Sequence, residues 1–521
     1  MKNPAAEKKI SAYRLEVGGP IFLFLLILFL FARPYILLGD GGTCRHFLTG
    51  LYFLQHLNLP VSTYMSAVEP QASWSTHELL ADLLFGLPFA QLGLNWVVLS
   101  SSLAIALCLA WSYQMARLRG SGVLISFLTF ILSISVCSIH WSARPHLFTY
   151  LLFLASYYET FIAQRSLKAS LVIFSLIFLC WSNLHGSYFL GLLMLLFKAL
   201  SDLIRTVKES NTQSRIWSLK ESAMLIFSSF LASCLNIRGF AFFTYVISYL
   251  TSPKIQSFSD EWRSLDFSLG YPVYAFFALF SLLVFCWVYA ERKPVAAEFC
   301  YLLFLFTASL YAMRIMPYFA LAALPALAQQ AAELEKKAGE SNFFGFAKLI
   351  EMDVRIGKAE ENFAGAGWIF SALTVVISAI YLSLPYSKLK DFDQLRMPVQ
   401  AVNFMQEHEL RGLTFSKDNW GSYLYWRLKE PYFIDDKTDF YSQTLLDDYS
   451  KIFFGSPGWK QAFDKYGFKY VLIPRGLPLE FSLKAENDWQ AVYQDRLAIV
   501  FAHQKASARL EFNAADSGKH P

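Results

Sequence analysis

Apolar runs long enough to cross a lipid bilayer recur along most of this chain, and no other feature restricts its fold as much. A bilayer core of about 30 Å needs roughly 20 apolar residues in a helix. Every backbone polar group at that depth must be bonded within protein. Pro20–Leu38 meets the length requirement. Further runs lie near Asn95–Gln114, Ser121–Ser138, Pro145–Ala163, Ala169–Asn183, Gly186–Ile204, Glu221–Leu235, Tyr271–Ala290, Val295–Ala312, Met316–Ala328 and Ala364–Leu384. This pattern predicts a polytopic helical membrane protein with about eleven spans. Hydrophobic residues make up 55% of the chain and charged residues only 16%, which argues against a large soluble enzyme. The formal net charge of +5 carries no nucleic-acid signal, because membrane proteins gather Lys and Arg in cytoplasmic loops.

Charge placement predicts the orientation. Lys2, Lys8, Lys9 and Arg14 precede the first run. Arg117 and Arg119 follow the second, Arg165 and Lys168 the fourth, Arg205, Lys208, Arg215 and Lys220 the sixth, and Arg292 and Lys293 the eighth. Lys336, Lys337, Lys348, Arg355 and Lys358 precede the last. All of these loops come out on one side, the cytoplasmic one, and an odd number of spans puts the C-terminal region on the other. The basic N-terminus has signal-peptide character but lacks a small-residue cleavage site after its apolar run, so it reads as a retained span. The expected organisation is a cytoplasmic N-terminus over 1–19, a transmembrane domain over 20–385, a non-cytoplasmic α/β domain over 386–505 and a flexible tail over 506–521. Within the second lie a first outward loop over 39–79 and a cytoplasmic linker over 331–363. The seven cysteines are scattered, with no metal-like spacing, and read as structural thiols.

The outward side receives a different set of residues. The first outward loop opens with Gly39-Asp40-Gly41-Gly42-Thr43-Cys44-Arg45-His46 and closes with Trp74-Ser75-Thr76-His77-Glu78. Loops of that length are usually functional or disordered. Thr43–Asn58 has helical periodicity suited to a membrane-surface helix, as does Gly239–Leu250, and an apolar helix starts near Glu78. Later outward loops add His140, Arg144, His146, His185, Glu261, Arg263 and Arg314. Each has a structural alternative. Arg144 and Arg314 suit snorkelling to headgroups, His185 suits helix packing, and Glu261-Trp262 suits an ordinary helix start. Convergence of acids, arginines and histidines on one face favours an active site.

After the last run the pattern changes. Val399–Gln406 and Ser442–Phe453 read as helices, and Gly412–Phe415, Tyr432–Ile434 and Tyr470–Ile473 as short strands. Gln490–Tyr493 and Ala498–Phe501 read as a terminal hairpin. Asp435, Asp436 and Asp439 follow a short strand, where α/β folds place ligands. An Asp-rich solvated turn is the alternative reading.

An outward membrane site with acids and arginines suits a lipid-phosphate substrate. Arginine offers fixed bidentate donors to phosphate oxygens, and a carboxylate can deprotonate an acceptor hydroxyl. No P-loop, dinucleotide-binding glycine pattern or His-Glu-x-x-His is present. The acid-bearing loop after the first span, with its surface helices, resembles the integral-membrane glycosyltransferases of the GT-C fold, to which aminoarabinose, mannosyl and oligosaccharyl transferases belong. Trp74-Ser75-Thr76-His77-Glu78, Ala143-Arg144-Pro145-His146, Trp181-Ser182-Asn183-Leu184-His185-Gly186 and Asp260-Glu261-Trp262 look like a group of bacterial multi-pass proteins. Gly421-Ser422-Tyr423-Leu424 and Phe433-Ile434-Asp435-Asp436 extend that likeness into the C-terminal part.

The resemblance implies transfer of a sugar from a polyprenyl-phosphate donor to a glycan, lipid or protein acceptor, in a bacterial inner membrane. It implies a catalytic acid at the end of the first span, the position of Asp40, with a second acid, Glu78 or Glu261, in the same or the next outward loop. Arg45, His77, Arg144, His146, Asn183, His185, Glu261 and Arg314 are the expected substrate-binding residues. No cofactor is indicated. A single Asp40 with no Asp-x-Asp in the first loop leaves a role for Mg or Mn open. The competing readings are a transporter or flippase for a lipid-linked or anionic solute, a His-based metal enzyme and a non-catalytic scaffold.

Overall fold

The computed structural model of the chain describes residues 18–27, 34–59, 65–68, 76–208, 218–252, 260–291, 293–339, 348, 351–357, 366–384, 389–437 and 440–504. The expectations for Glu69 to Ser75, Asp439, Arg292, most of the linker and the tail beyond 504 lie outside the described residues.

Helices occupy the apolar runs. They are α1 Gly18–Ile27, α2 Gly42–His56, α3 Leu79–Leu92, α4 Leu94–Leu118, α5 Val123–Cys137, α6 His146–Phe161 and α7 Leu167–Leu184. Next come α8 Phe189–Lys208, α9 Leu219–Ser233, α10 Ala241–Thr251, α11 Tyr271–Tyr289, α12 Ala296–Tyr311, α13 Met316–Gly339 and α14 Ala366–Ser383. Among the described residues, six helical stretches are long and apolar enough to cross a membrane by length and composition. The protein is a multi-pass membrane protein.

Helices α4 and α13 form the centre and are far more buried than the other candidate spans. Their surfaces explain this. Ser100, Ser101 and Ser102 on one, and Ala320, Ala322, Ala323 and Ala326 on the other, allow close backbone approach without lipid-facing bulk. Pro325 lies inside α13. A proline has no N–H to give the carbonyl four residues earlier, and the Leu321 carbonyl is instead satisfied by the Ser112 hydroxyl at 2.8 Å. That bond fastens α4 to α13 where the helix ladder is interrupted. The outer helices expose Phe127, Leu128 and Ile131 of α5, Val172 and Leu176 of α7, and Leu373, Ile377 and Ile380 of α14, as lipid contact requires.

After the first apolar run α2 crosses α3 at Gly50 and Gly86. A Cβ at Gly50 would stand 2.0 Å from the Asp82 carbonyl, and one at Gly86 would stand 2.7 Å from Gly50 backbone. The two backbones touch because neither residue has a side chain.

The C-terminal region holds α15 Val399–Glu407, β1 Thr414–Ser416, α16 Gly421–Leu428, α17 Gln443–Phe454 and α18 Trp459–Asp464. It continues with β2 Tyr470–Pro474, α19 Pro478–Ala485, β3 Trp489–Gln494 and β4 Ala498–His503. The sheet order is β1-β2-β4-β3, with β1 parallel to β2 and the other pairs antiparallel. Strand alternation puts Val471, Ile473, Ile499 and Phe501 into one core with Phe415, Tyr449 and Phe463. It puts Tyr470, Leu472 and Val500 into the core shared with the membrane helices. The sheet is thus covered on both faces, and the region rests on the helical bundle. Trp426 of α16 stands edge-on to Phe47 of α2 at 5.7 Å.

One expected strand is absent. Tyr432–Ile434 forms only a bridge from Tyr432 to Ser66, in the loop between α2 and α3. The Tyr432 N–H donates to Met65 O at 3.0 Å, and the Ala67 N–H donates to Tyr432 O at 2.8 Å. The segment is buried as a strand would be, but it pairs with a loop for two bonds and then turns.

Candidate active site

The junction of several interhelical loops and the C-terminal region encloses a cavity of about 920 Å³. Asp40 stands at its edge, just after a short 3-10 turn over Pro34–Leu38. The chain is held there from two sides. Ala143 N–H donates to Leu37 O at 3.0 Å, and Asp393 N–H donates to Leu38 O at 3.0 Å. Asp40 then starts α2, its Oδ1 accepting from Gly42 N–H at 2.9 Å.

Arg144 binds this carboxylate. Its Nε donates to Oδ2 and its Nη2 to Oδ1 of Asp40, both at 2.9 Å. The remaining corner, Nη1, lies 2.7 Å from Oδ2 of Asp436. A Cβ on Gly42 would stand 2.5 Å from both the Arg144 guanidinium and the Asp436 carboxylate, so glycine is what lets the three groups meet. Arg45 adds longer contacts, 3.8 Å to Asp435, 3.8 Å to Asp436 and 3.9 Å to Glu78.

Asp435 and Asp436 differ in role. Asp435 is wholly internal, accepting from the hydroxyls of Ser422, Tyr432 and Tyr441 at 2.9, 3.0 and 2.8 Å. Burial raises its carboxyl above the ordinary value, and the neighbouring Asp436 adds to the rise. Burial pushes Asp436 the same way, but Arg144 and Arg45 outweigh it and hold the group below the usual carboxylate range. Asp435 therefore anchors the turn while Asp436 is presented to the arginines as an anion.

Across the cavity lies a second cluster. Arg314 follows α12 and is 3.8 Å from Glu261. Its guanidinium lies over the Trp262 ring, 4.8 Å from the centroid. His140 is 3.6 Å from Glu261. Burial raises Glu261, but His140 and Arg314 more than offset this and bring its pKa down to about 2. His185 accepts the Ser187 N–H on Nδ1 at 3.1 Å. A neutral imidazole carries one N–H, so Nε2 holds it. Burial, then the nearby Arg314, lower the His185 pKa to about 3, so the ring is neutral at physiological pH. Nε2 lies 3.3 Å from Arg314 Nη2. Two donors thus converge, with the Glu261 carboxylate 3.8 Å from the same Arg314 Nη2 and Glu78 4.0 Å from His185 Nε2 as the nearest acceptors among the described residues. Trp262 Nε1 and the Tyr150 hydroxyl also line the cavity without a hydrogen-bond partner among the described residues. An anion meets all of these needs at once.

Glu78 lies between the clusters, 3.9 Å from Arg45, 3.8 Å from His77 and 4.0 Å from each of His46 and His185. Burial lowers the His77 pKa far below its ordinary value, and Lys437 adds to the effect. His46 pairs with Asp82 at 2.7 Å.

The structure brings Asp40, Glu78, Arg45, His77, Arg144, His146, His185, Glu261 and Arg314 to one cavity. His146 faces it, but its Nε2 donates to the His140 carbonyl at 2.9 Å. Asn183 does not line it. Its amide donates to the carbonyls of Leu179 at 2.8 Å and Leu235 at 2.9 Å, tying α7 to the end of α9. Arg144 is not a free phosphate receptor as expected, because both edges of its guanidinium are taken by carboxylates. Sequence reasoning gave no place to Tyr150, Tyr318 and Lys437, which also line the cavity. The signal for Asp436 was its position after Phe433-Ile434. Among the described residues, no three of His, Cys, Asp and Glu converge as metal ligands.

No protein-family model matches the sequence, and no curated protein sequence matches it. Solved structures do. The archaeal oligosaccharyltransferase AglB of Archaeoglobus fulgidus, in complex with an inhibitory peptide and a dolichol-phosphate, is 12% identical and superposes with a TM-score of 0.54. The match covers 89% of this chain and 70% of AglB. The apo form of the Archaeoglobus fulgidus oligosaccharyltransferase gives 13% identity, the same coverage and a TM-score of 0.50. The chain has the GT-C fold. ArnT from Cupriavidus metallidurans bound to undecaprenyl phosphate matches over 93% of this chain and 97% of its own, at 11% identity and a TM-score of 0.49. In this chain the cavity lies where the loop after the first apolar run and the loops around Arg144, His185, Glu261 and Arg314 meet the C-terminal region.

Proposed function

We propose that the chain is a membrane glycosyltransferase that moves a sugar from a polyprenyl-phosphate donor to an acceptor on the outer face of a bacterial inner membrane. The GT-C fold supports the reaction class, and a structural relative, AglB, is in complex with a dolichol-phosphate. The observation that carries the reading is a single cavity with an anion-seeking half and a carboxylate half. Arg314 Nη2 and His185 Nε2 lie 3.3 Å apart in the first, and Arg144 ties Asp40 to Asp436 in the second.

In this reading Arg314, His185 and Trp262 take the donor phosphate. As the phosphate settles, it competes with Asp40 for Arg144. The guanidinium turns toward phosphate, and Asp40 is released as general base. The acceptor hydroxyl oxygen then attacks the anomeric carbon. Its proton passes to Asp40, the carbon–phosphate-oxygen bond breaks, and polyprenyl phosphate leaves with the electron pair, its charge held by the arginines. Glu78 and Asp436 orient the acceptor. We place the N-terminus in the cytoplasm and, with eleven spans, the C-terminal region outside. A hexose or a pentose would serve as the transferred sugar.

Purified full-length protein in liposomes, given a panel of polyprenyl-phosphate sugars, tests the reading. Release of free polyprenyl phosphate coupled to acceptor labelling supports it. Movement of intact donor between leaflets, with no release, refutes it in favour of a flippase.

A further inference from the structure

A separate cavity of about 520 Å³ lies in the C-terminal region and shares no lining residue with the one above. Its wall is aromatic. Trp459 of α18 meets Phe463 edge to face at 5.9 Å, and Phe463 meets Trp489 of β3 at 5.3 Å. Trp489 in turn stands edge-on to His503 of β4 at 5.2 Å. Phe463 is buried behind the two tryptophans, which are themselves only partly covered. Two indoles braced by a buried ring form a rigid platform open on one side.

The charged residues of the lining are balanced in sign. Arg411, Lys460 and Lys469 face Asp464, Glu486 and Asp488, a formal sum of zero. Lys460 is paired with Glu486. Arg411, Asp464 and Asp488 make no salt bridge among the described residues, and all three are exposed. An anion entering here meets carboxylates, a cation meets basic groups, and a purely apolar ligand leaves the rim unpaired. A neutral polyhydroxylated ring fits each requirement. Its apolar face covers an indole, its hydroxyls donate to Asp464 and Asp488, and its oxygens accept from Arg411. The volume lies within the range of small-ligand sites.

We propose that this cavity is a binding site for a short neutral saccharide. The inference stands on the second cavity alone and does not rest on the transferase reading.

The test is calorimetric titration of full-length protein in a detergent without a sugar headgroup, since glycosidic detergents would occupy the site. The probes are cellobiose, maltose and N,N′-diacetylchitobiose, with trigalacturonate and spermidine as charged comparators. At least one neutral disaccharide should bind saturably and more tightly than either comparator. Trp489→Ala should weaken it by about tenfold or more, as truncation of an aromatic anchor does. Arg411→Ala, at an exposed position that leaves the core intact, should weaken it in the same direction. Glu78→Gln, in the first cavity, should leave it unchanged. Absence of saturable binding by all three disaccharides, preference for a charged comparator, or full binding by both Trp489→Ala and Arg411→Ala would overturn the proposal.

Discussion

Arg144 lies 2.7 Å from Asp436, a residue nearly three hundred positions further along the chain. The same guanidinium holds both oxygens of Asp40 at 2.9 Å. One cation thus joins the end of the first apolar run, the loop before α6 and the C-terminal region.

Loss of that contact should loosen the C-terminal region. Asp436 and Arg144 expose only 12% and 18% of their side chains, and breaking a buried pair typically costs about 3–5 kcal/mol. Asp436→Ala should lower the thermal unfolding temperature in detergent and speed proteolytic cleavage between the bundle and residue 389. Its effect should be non-additive with that of Arg144→Met. Additive effects in a double-mutant cycle would show that the two residues act separately.

Arg314 should not be replaceable by lysine. It stacks on Trp262 and aims a planar fork beside His185, whereas lysine is a flexible point charge. Arg314→Lys should weaken donor binding by roughly 10- to 100-fold, a loss of about 1.4–2.8 kcal/mol. Unchanged donor affinity, measured by titration with a polyprenyl-phosphate sugar, would remove Arg314 from the phosphate site.

The buried histidines make the fold acid-sensitive. Burial brings the folded His185 pKa to about 3 against an ordinary 6.5. Below pH about 6.5 the unfolded chain binds a proton that the folded chain refuses. Stability therefore falls as pH drops from 6.5 toward 3, by on the order of 2 kcal/mol at pH 5. Glu261 acts in a lower window. Its pKa falls from 4.5 to about 2 on folding, so its contribution is full above 4.5 and is lost as pH falls toward 2. Melting curves at pH 7.5 and pH 5 should show a drop that His185→Gln reduces. An equal drop in that variant would assign the sensitivity to other groups.

The crossing of α2 and α3 should tolerate no added carbon. Gly50→Ala puts a Cβ 2.0 Å from the Asp82 carbonyl, and overpacking of this kind costs about 1–3 kcal/mol. The displaced Asp82 would also lose its 2.7 Å contact with His46. A lower unfolding temperature is expected for Gly50→Ala. Similar unfolding temperatures for wild type and Gly50→Ala would mean that the helices part easily.

The helices were legible because a bilayer demands long apolar runs, and such runs stand out in sequence. Helices α16, α18 and α19 were not foreseen. Each has eight or fewer residues and is mixed in polarity, too short to establish a period. Asp40, Glu78, Arg45, Arg144 and Arg314 were legible as charges beside apolar runs, and the cavity unites them. Asn183 was misplaced because its neighbours His185 and Gly186 face the cavity, while its own position on α7 turns toward the Leu235 carbonyl. Asp436 carried two readings, a ligand-site acid after a strand and a residue of an Asp-rich turn. An Asp-rich turn looks solvated locally, and what buries it is Arg144 and Arg45, fixed by tertiary structure alone. The Tyr432–Ile434 pattern was apolar like a strand, but Asp435 bonds three hydroxyls and ends the extended stretch.

The catalytic place of Asp40 is tested most directly by Asp40→Asn, which keeps shape and removes the base. The measurement is single-turnover sugar release from a polyprenyl-phosphate donor by purified variant, with membrane insertion and donor affinity checked alongside. The account predicts a rate lower by about 10²- to 10⁴-fold, the usual range for losing a general base, with donor binding retained. Transfer at the wild-type rate would contradict it.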